Sequence, residues 1–289
     1  MIARLSLVLA TMCLAGNITI GRVLADAVPP ATLTALRWTV ALIVLAPLTM
    51  AQMPALKALM RERFGWFTMM AATGVVGVHG LIYLALGYTT ATNVALIMGA
   101  TPAAMLVISY LKYGERHGPI RLMGVAICFA GVVTLVAGKL ALPGIGDAIA
   151  CIGMPCWAYY SVAIRDRPAD IDGIALTFGV SVFGLVLLAP LVAGEAIAGL
   201  TVDWSMNVVL GVLFIGVFSS GVAYVMWSKG IAMIGSATAA PFMNLVAVFG
   251  VLLGIVALGE PFTLRHAIAS GLIAVGLVLS QFQRETVRV

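Results

Sequence analysis

The feature that most constrains this chain is a succession of apolar runs, each about the length that crosses a bilayer. A membrane-spanning helix needs about 20 mostly apolar residues. Breaking the sequence at its charges and its glycine and proline clusters gives ten such runs: roughly 5–24, 31–50, 64–85, 92–111, 119–137, 147–164, 173–194, 206–227, 236–258 and 263–282. Most connections between them are short and leave no room for a soluble domain. Only 9% of residues are charged and 62% are hydrophobic, whereas a soluble domain carries about 25% charged residues. Such a chain cannot cover its surface with hydrated groups, so lipid is its solvent and soluble enzyme classes fall away. The expected fold is all-α and integral to the membrane, with ten transmembrane helices.

The basic residues orient these helices. With the N-terminus placed in the cytoplasm, the inside segments carry Arg4, Lys57, Arg61, Arg63, Lys112, Arg116, Arg121, Arg165, Arg167, Lys229, Arg284 and Arg288, twelve in all. The outside ends carry three, Arg22, Lys139 and Arg265, while Arg37 falls within a helix. This positive-inside bias predicts an inner (plasma) membrane protein with both termini cytoplasmic. It also explains the net charge of +5 without invoking nucleic acid. Arg4, the apolar run after it and Leu24-Ala25-Asp26-Ala27 look like a cleaved signal peptide, but the segment has a counterpart later in the chain and is read as a mature helix. Cys13, Cys128, Cys151 and Cys156 lie in apolar runs without metal-ligand spacing. Neither disulfide, metal nor cofactor is expected.

The chain repeats itself. Gly114-Glu115 is followed by Gly131, and Gly259-Glu260 by Gly276 at the same interval, an offset of 145. Ala95-Leu96-Ile97-Met98 matches Ala240-Pro241-Phe242-Met243 at that offset, and His79–Tyr83 aligns with Ser220–Tyr224. Gly16-Asn17 falls opposite Trp157–Tyr160. The reading is five helices duplicated, residues 1–140 and 141–289. Because five is odd, the second copy enters the membrane inverted. Inverted repeats are the architecture of alternating-access transporters, with a site near the bilayer midplane, although channels use them too.

Pro30, Ala35-Leu36-Arg37-Trp38, Ala95-Leu96-Ile97 with Thr101-Pro102, Gly114-Glu115-Arg116 and Gly259-Glu260-Pro261-Phe262-Thr263 together resemble the paired EamA domains of the drug/metabolite transporter superfamily. The resemblance covers nearly the whole chain. It implies a ten-helix fold and export of metabolites such as amino acids; the aromatic-rich interior is most similar to the YddG-type aromatic amino-acid exporters. Two departures bear on the pocket and hence the substrate. Ala247 stands where the family often has proline, and Ala15-Gly16-Asn17 where a Trp-Gly pair is common.

Polar groups deep in a bilayer are costly, so each needs a reason. His79 and Tyr83 share a helix face one turn apart. They read as a cavity wall, with His79 bonding cargo or cycling protons, or as a packed histidine. Arg37, about two turns from the outer end of its helix, can bind a substrate carboxylate, snorkel to the interface or bond helix-end carbonyls. Asn17 and Asn244 suit either end of a zwitterion or an interhelical bond; Asn93 lies near a helix end. Trp157 and Tyr160 share one face of the sixth run. Tyr224 and Trp227 share one face of the eighth, with Ser220 a turn earlier. Such aromatic walls suit aromatic cargo by stacking, or are core packing and interface belts, as expected for Trp66 and Trp204. Pro102 and Pro241 are expected to kink their helices as hinges. Gly124, Gly131, Gly271 and Gly276 mark close helix packing or a dimer contact, and Glu115 and Glu260 are loop anchors.

The predicted function is export of neutral or zwitterionic small molecules, amino acids above all, by alternating access between the two repeats. The predicted partners are that cargo, membrane lipid and a possible second copy. No acid falls in mid-membrane, which points to facilitative movement. The competing readings are a flippase for a lipid-linked substrate and a proton-coupled exporter of drugs or other metabolites. An intramembrane enzyme is disfavoured, since no catalytic motif surrounds Ser219, Ser220 or His79.

Overall fold

The computed structural model describes residues 2–115, 118–136 and 144–281. Every regular element among them is helical. The helices are α1 (Ile2–Leu24), α2 (Pro30–Thr49), α3 (Met53–Glu62), α4 (Phe64–Leu86), α5 (Ala91–Gly99), α6 (Thr101–Tyr113), α7 (Pro119–Val136), α8 (Ile145–Ala163), α9 (Gly173–Ile197), α10 (Met206–Ile234), α11 (Ala240–Leu258) and α12 (Leu264–Gln281). Seven helices among the described residues are long and apolar enough to cross a membrane, and eight if the bent α5–α6 pair is one span. In α7 and α12 the qualifying apolar stretches are shorter, Leu122–Gly131 and Leu264–Gly276. The helix α3 was not expected. It carries one buried residue, Leu56, with Lys57 and Arg61 exposed, and continues α2 through a 3-10 turn at Met50–Gln52. Arg116, Lys139, Arg284 and Arg288, used above for orientation, and the expected boundary at 140–141 lie outside the described residues.

The packing is set by α1 and α8. Small residues such as Ala10, Ala15 and Gly21 let neighbours approach α1 closely, and half of the helix is buried. It packs against α10 and α11, while α8 packs against α4, α5 and α6. The remaining contacts come in pairs: α2 with α9, α5 with α11, and α7 with α12. In the last pair Gly276 lies against the Gly124 carbonyl and the Cys128 backbone, and Gly131 against Ile273. These glycines serve a contact within the chain, whereas Gly271 faces open space.

Two helices widen at their middles. α4 is π-helical over Ala72–Gly80 and α10 over Ile215–Val222. Both stretches are glycine-bearing, and glycine weakens the ordinary α-helical register. A π turn spreads the backbone and often marks a functional site.

Charged and polar groups tie the helix ends. At one end Glu195 accepts hydrogen bonds from the Ala31 and Thr32 amides (2.8 Å each) at the start of α2. Glu260 does the same for Ala91 and Thr92 at the start of α5. A carboxylate there satisfies orphan N–H groups and faces the positive end of the helix dipole. Asp147 accepts from Thr89 and from Asn93 (3.0 Å), and Asn93 Oδ1 lies 2.9 Å from His266. At the opposite end Lys112 and Tyr113 both bond Asp166, and Arg165 pairs with Glu115. Glu115 and Glu260 thus anchor loops, but through Arg165 and the α5 N-terminus. Their preceding glycines, Gly114 and Gly259, adopt left-handed φ values of 69° and 66° at the ends of α6 and α11.

The hinge prolines sit at helix breaks rather than in helix middles. Pro102 sits in the first turn of α6, where its missing N–H costs nothing, and the 40° bend precedes it at Ala100. Pro241 lies in a 3-10 turn, Ala240–Met243, at the entry to α11 rather than in its middle. Among the described residues the prolines inside helices are Pro47, Pro155 and Pro190, and the sequence reading singled out none of them.

Candidate functional site

Arg37 lies at the centre of the bundle with no exposed surface. It therefore does not snorkel, and its partners are side chains rather than helix-end carbonyls. Nε donates to Ser220 Oγ at 2.6 Å. Nη1 donates to Asn17 Oδ1 and to Tyr83 Oη, both at 2.8 Å. The Tyr83 hydroxyl donates to Asn17 Oδ1 at 2.5 Å, and Ser220 donates to the Ile215 carbonyl at 3.1 Å. That carbonyl lies at the start of the π turn, which spaces the two residues five apart rather than four. All three partners are neutral. Nη2 has no hydrogen-bond partner, and among the described residues no carboxylate lies within 4.0 Å of the guanidinium. The faces of Trp38 and Tyr83, 5.6 and 5.7 Å from Cζ, supply weak compensation.

An aromatic group adjoins this cation. Trp157 stacks on Tyr160 with centroids 5.4 Å apart, and Tyr224 meets Trp157, Tyr160 and Trp38 at 5.2, 5.3 and 4.7 Å. His79 joins Trp38, Tyr83, Trp157 and Tyr224. Tyr224 donates its one proton to the Gly74 carbonyl, within the π turn of α4. Its oxygen lies 3.2 Å from His79 Nδ1, so Nδ1 must carry the proton of that second bond. Gly74 is required by packing: a Cβ there would meet the Tyr160 ring at 2.4 Å.

The structure thus brings together Asn17, Arg37, His79, Tyr83, Trp157, Tyr160, Ser220 and Tyr224. Asn244 stands apart. It lines an apolar cleft of about 460 Å³ with Leu96, Ala247, Val251, Phe262 and Ile273, and its Oδ1 has no partner. Its neighbour Met243 reaches the aromatic group instead, with Sδ 3.3 Å from Trp157 Nε1. The sequence reading left out Trp38 and gave Trp227 no site role, yet both are fully buried in this cluster; Trp227 donates to Ser161 at 3.1 Å. Trp204 is 63% exposed, as an interface residue should be, while Trp66 packs edge-on against Phe67.

The space among these groups is small. A cavity of about 20 Å³ is bounded by Leu14, Asn17, Ile18, Val78, His79, Ile82, Met98, Trp157, Met243 and Val246. That is room for about one water.

A deeply buried cation among neutral partners, with aromatic walls, thus lies inside a bundle of apolar helices long enough to cross a membrane. The EamA-like transporter family matches residues 1–137 and again 144–282, and the chain belongs to that family. Among its relatives are "Uncharacterized transporter YyaM" of Bacillus subtilis (strain 168), 27% identical over 77% of this chain and 74% of the relative, and an "Uncharacterized transporter" of Archaeoglobus fulgidus, 28% identical over 74% of each. "Uncharacterized transporter YetK" of Bacillus subtilis is 22% identical over 98% of this chain and 88% of its own. A protein of known crystal structure shares the fold with a TM-score of 0.67 at 24% identity, covering 95% of both chains. The chain is a multi-pass membrane transporter.

Proposed function

We propose that the protein exports small neutral or zwitterionic metabolites, amino acids with apolar or aromatic side chains above all, by alternating access between two inverted five-helix repeats, residues 1–140 and 141–289. The observation that carries this reading is the meeting of groups from both halves in one buried cluster. Asn17, Arg37, His79 and Tyr83 come from the first half, and Trp157, Tyr160, Ser220 and Tyr224 from the second. A cargo bound there touches both halves at once, as a site shared by two moving bodies requires.

Several features support the duplication. The contacts of α1 with α10 and α11 correspond to those of α8 with α4 and the α5–α6 pair. The π turns fall in α4 and α10, and the left-handed glycine caps at Gly114 and Gly259. The family matches the chain twice. With ten spans and both termini cytoplasmic in the inner membrane, the Asp147–Asn93–His266 ties lie outside and the Lys112–Asp166 and Arg165–Glu115 pairs inside. Opening one set while the other holds is the alternating step. Pro102, beside the α5–α6 bend, and Pro241, at the entry to α11, are where the backbone flexes. The small space among the clustered groups favours a carrier over a channel, and the lack of an acid in the cluster favours facilitative transport. A lipid-linked cargo would call for a basic lateral opening. The apolar Asn244 cleft has no basic residue among those lining it.

Counterflow in proteoliposomes, with labelled Trp, Phe, Thr and Met at equal pH on both sides, tests the proposal. Uptake weakened at least about tenfold by His79→Ala and Tyr83→Ala supports it. No exchange of any amino acid by well-folded protein removes the amino-acid assignment.

A further inference from the structure

We infer that Arg37 is the carboxylate anchor of this site: the cargo's carboxylate supplies the counter-charge that the protein withholds from its own buried guanidinium. The inference rests on the transport reading above and deepens it by naming the group the cargo must carry.

A guanidinium stays charged at any physiological pH and carries five N–H donors in a fixed planar fork. Here three are used, one on Nε and two on Nη1, all toward neutral oxygens. The two on Nη2 are buried without a partner. Burying a charge in a low-dielectric interior is costly unless it is paired, and intramembrane arginines are ordinarily paired or turned toward water. Arg37 has neither remedy. The nearest compensation is two ring faces and three dipoles, and every described Asp and Glu lies in a loop or near a helix end. A structural arginine would gain by an Asp or Glu at Asn17 or Ser220, where one substitution would complete an ion pair. The chain instead keeps two neutral groups, and a fixed carboxylate there would compete with an arriving one.

The position fits delivery. Asn17 bounds the small cavity on one side and holds Nη1 with the same Oδ1 on the other. A carboxylate entering from the cavity takes the place of Asn17 Oδ1 at Nη1 and its second oxygen takes Nη2, making the paired N–H···O contact that a guanidinium favours. Tyr83 and Ser220 keep the fork oriented. The aromatic group beyond His79 then receives the apolar part of the same molecule. Recognition therefore depends on the acid group: a decarboxylated amine or an amide of equal shape leaves the guanidinium unpaired.

The test is ligand-induced thermal stabilisation of the purified full-length protein, using acetate, butyrate and 3-phenylpropionate against the matching amides, with sodium chloride at equal ionic strength as control. Within at least one pair the acid should half-saturate at a concentration about tenfold lower than its amide, and Arg37→Gln should erase the difference. Equal stabilisation by acid and amide in every pair, a chloride effect as large as the acids', or a preference that survives in Arg37→Gln overturns the inference. If Arg37→Gln does not fold, Arg37→Lys keeps the charge without the fork and should narrow the preference; an unchanged preference overturns the forked contact. The comparison within the wild type stands without any variant. Acid preference with no amino-acid counterflow removes only the amino-acid cargo. Counterflow without acid preference removes only the anchor.

Discussion

Within the aromatic group two tyrosines of equal burial differ in what their hydroxyls do. Tyr224 bonds the Gly74 carbonyl and faces His79, whereas the Tyr160 hydroxyl is buried without a partner. Losing a buried hydrogen bond costs about 1–3 kcal/mol, while removing an unpartnered group is near neutral. Tyr224→Phe should therefore lower unfolding stability in detergent by about 1–3 kcal/mol, and Tyr160→Phe should leave it unchanged or slightly raised. Gly74 and Gly80 make a second contrast inside one π turn. Gly74→Ala drives a methyl into the Tyr160 ring and should cost about 1–3 kcal/mol. Gly80, with nothing within 4 Å of a Cβ, should accept alanine; a loss there as large as at Gly74 would show that the π turn itself, rather than the ring contact, demands glycine. At this scale the sequence was readable wherever a polar residue interrupted an apolar run: Asn17, Arg37, His79 and Ser220 stood out because the bilayer makes them expensive. Trp38 did not, because a tryptophan in such a run is ordinary. Nor did Met243, whose neighbour Asn244 drew attention while facing the apolar cleft.

The elements were legible in position but not in shape. Apolar length placed the helices, and α3, which prolongs α2, hid among charges that looked like a loop. The π turns were not visible, because residues 72–80 and 215–222 read as ordinary apolar helix and the extra residue per turn is decided by packing around Gly74 and Ser220. The ends of the elements are held by acids, which gives two predictions. Glu260→Gln removes the charge that faces the α5 N-terminus and should cost about 1 kcal/mol in unfolding measurements, whereas Glu62→Gln, on the exposed surface beside Arg63, should cost under about 0.5 kcal/mol. Asp172 caps α9. Partial burial alone would raise its pKa, but the hydrogen bonds from the Ala175 amide, the Gln52 side chain and the Ile174 amide outweigh it and hold the carboxyl below its ordinary value. A depressed folded pKa means that the stabilisation is complete above the unfolded value, about 3.9, and is lost as pH falls through the folded one. Acid unfolding should therefore begin at higher pH in the wild type than in Asp172→Asn, compared after normalising both to pH 7.

For the whole molecule, the repeat was read from a few short echoes, and those echoes mark turning points of the chain: Gly114 and Gly259 both end helices with left-handed backbone. What the sequence could not convey is how closely the two halves meet, since a cavity of about 20 Å³ is a property of side chains from five helices at once. Orientation is open to direct measurement. In a chain cleared of its four native cysteines, Lys57→Cys and Met206→Cys, both exposed, should divide the membrane. An impermeant maleimide added to intact cells should label position 206 and spare position 57, and labelling of 57 alone would invert the topology.

The bundle must also act as an insulator, because any membrane that stores energy as a proton gradient is short-circuited by a wire through it. Tyrosines, a histidine, amides and hydroxyls in a row are the parts from which proton wires are made. Arg37 sits among them as a permanent positive charge with little around it to screen it. A hydronium ion or metal cation approaching the midplane from either side meets that charge in a low-dielectric setting, where repulsion reaches farthest. The arginine that makes the interior costly to bury thereby makes it costly to traverse, and vesicles bearing the protein should hold an imposed pH gradient as long as protein-free vesicles do.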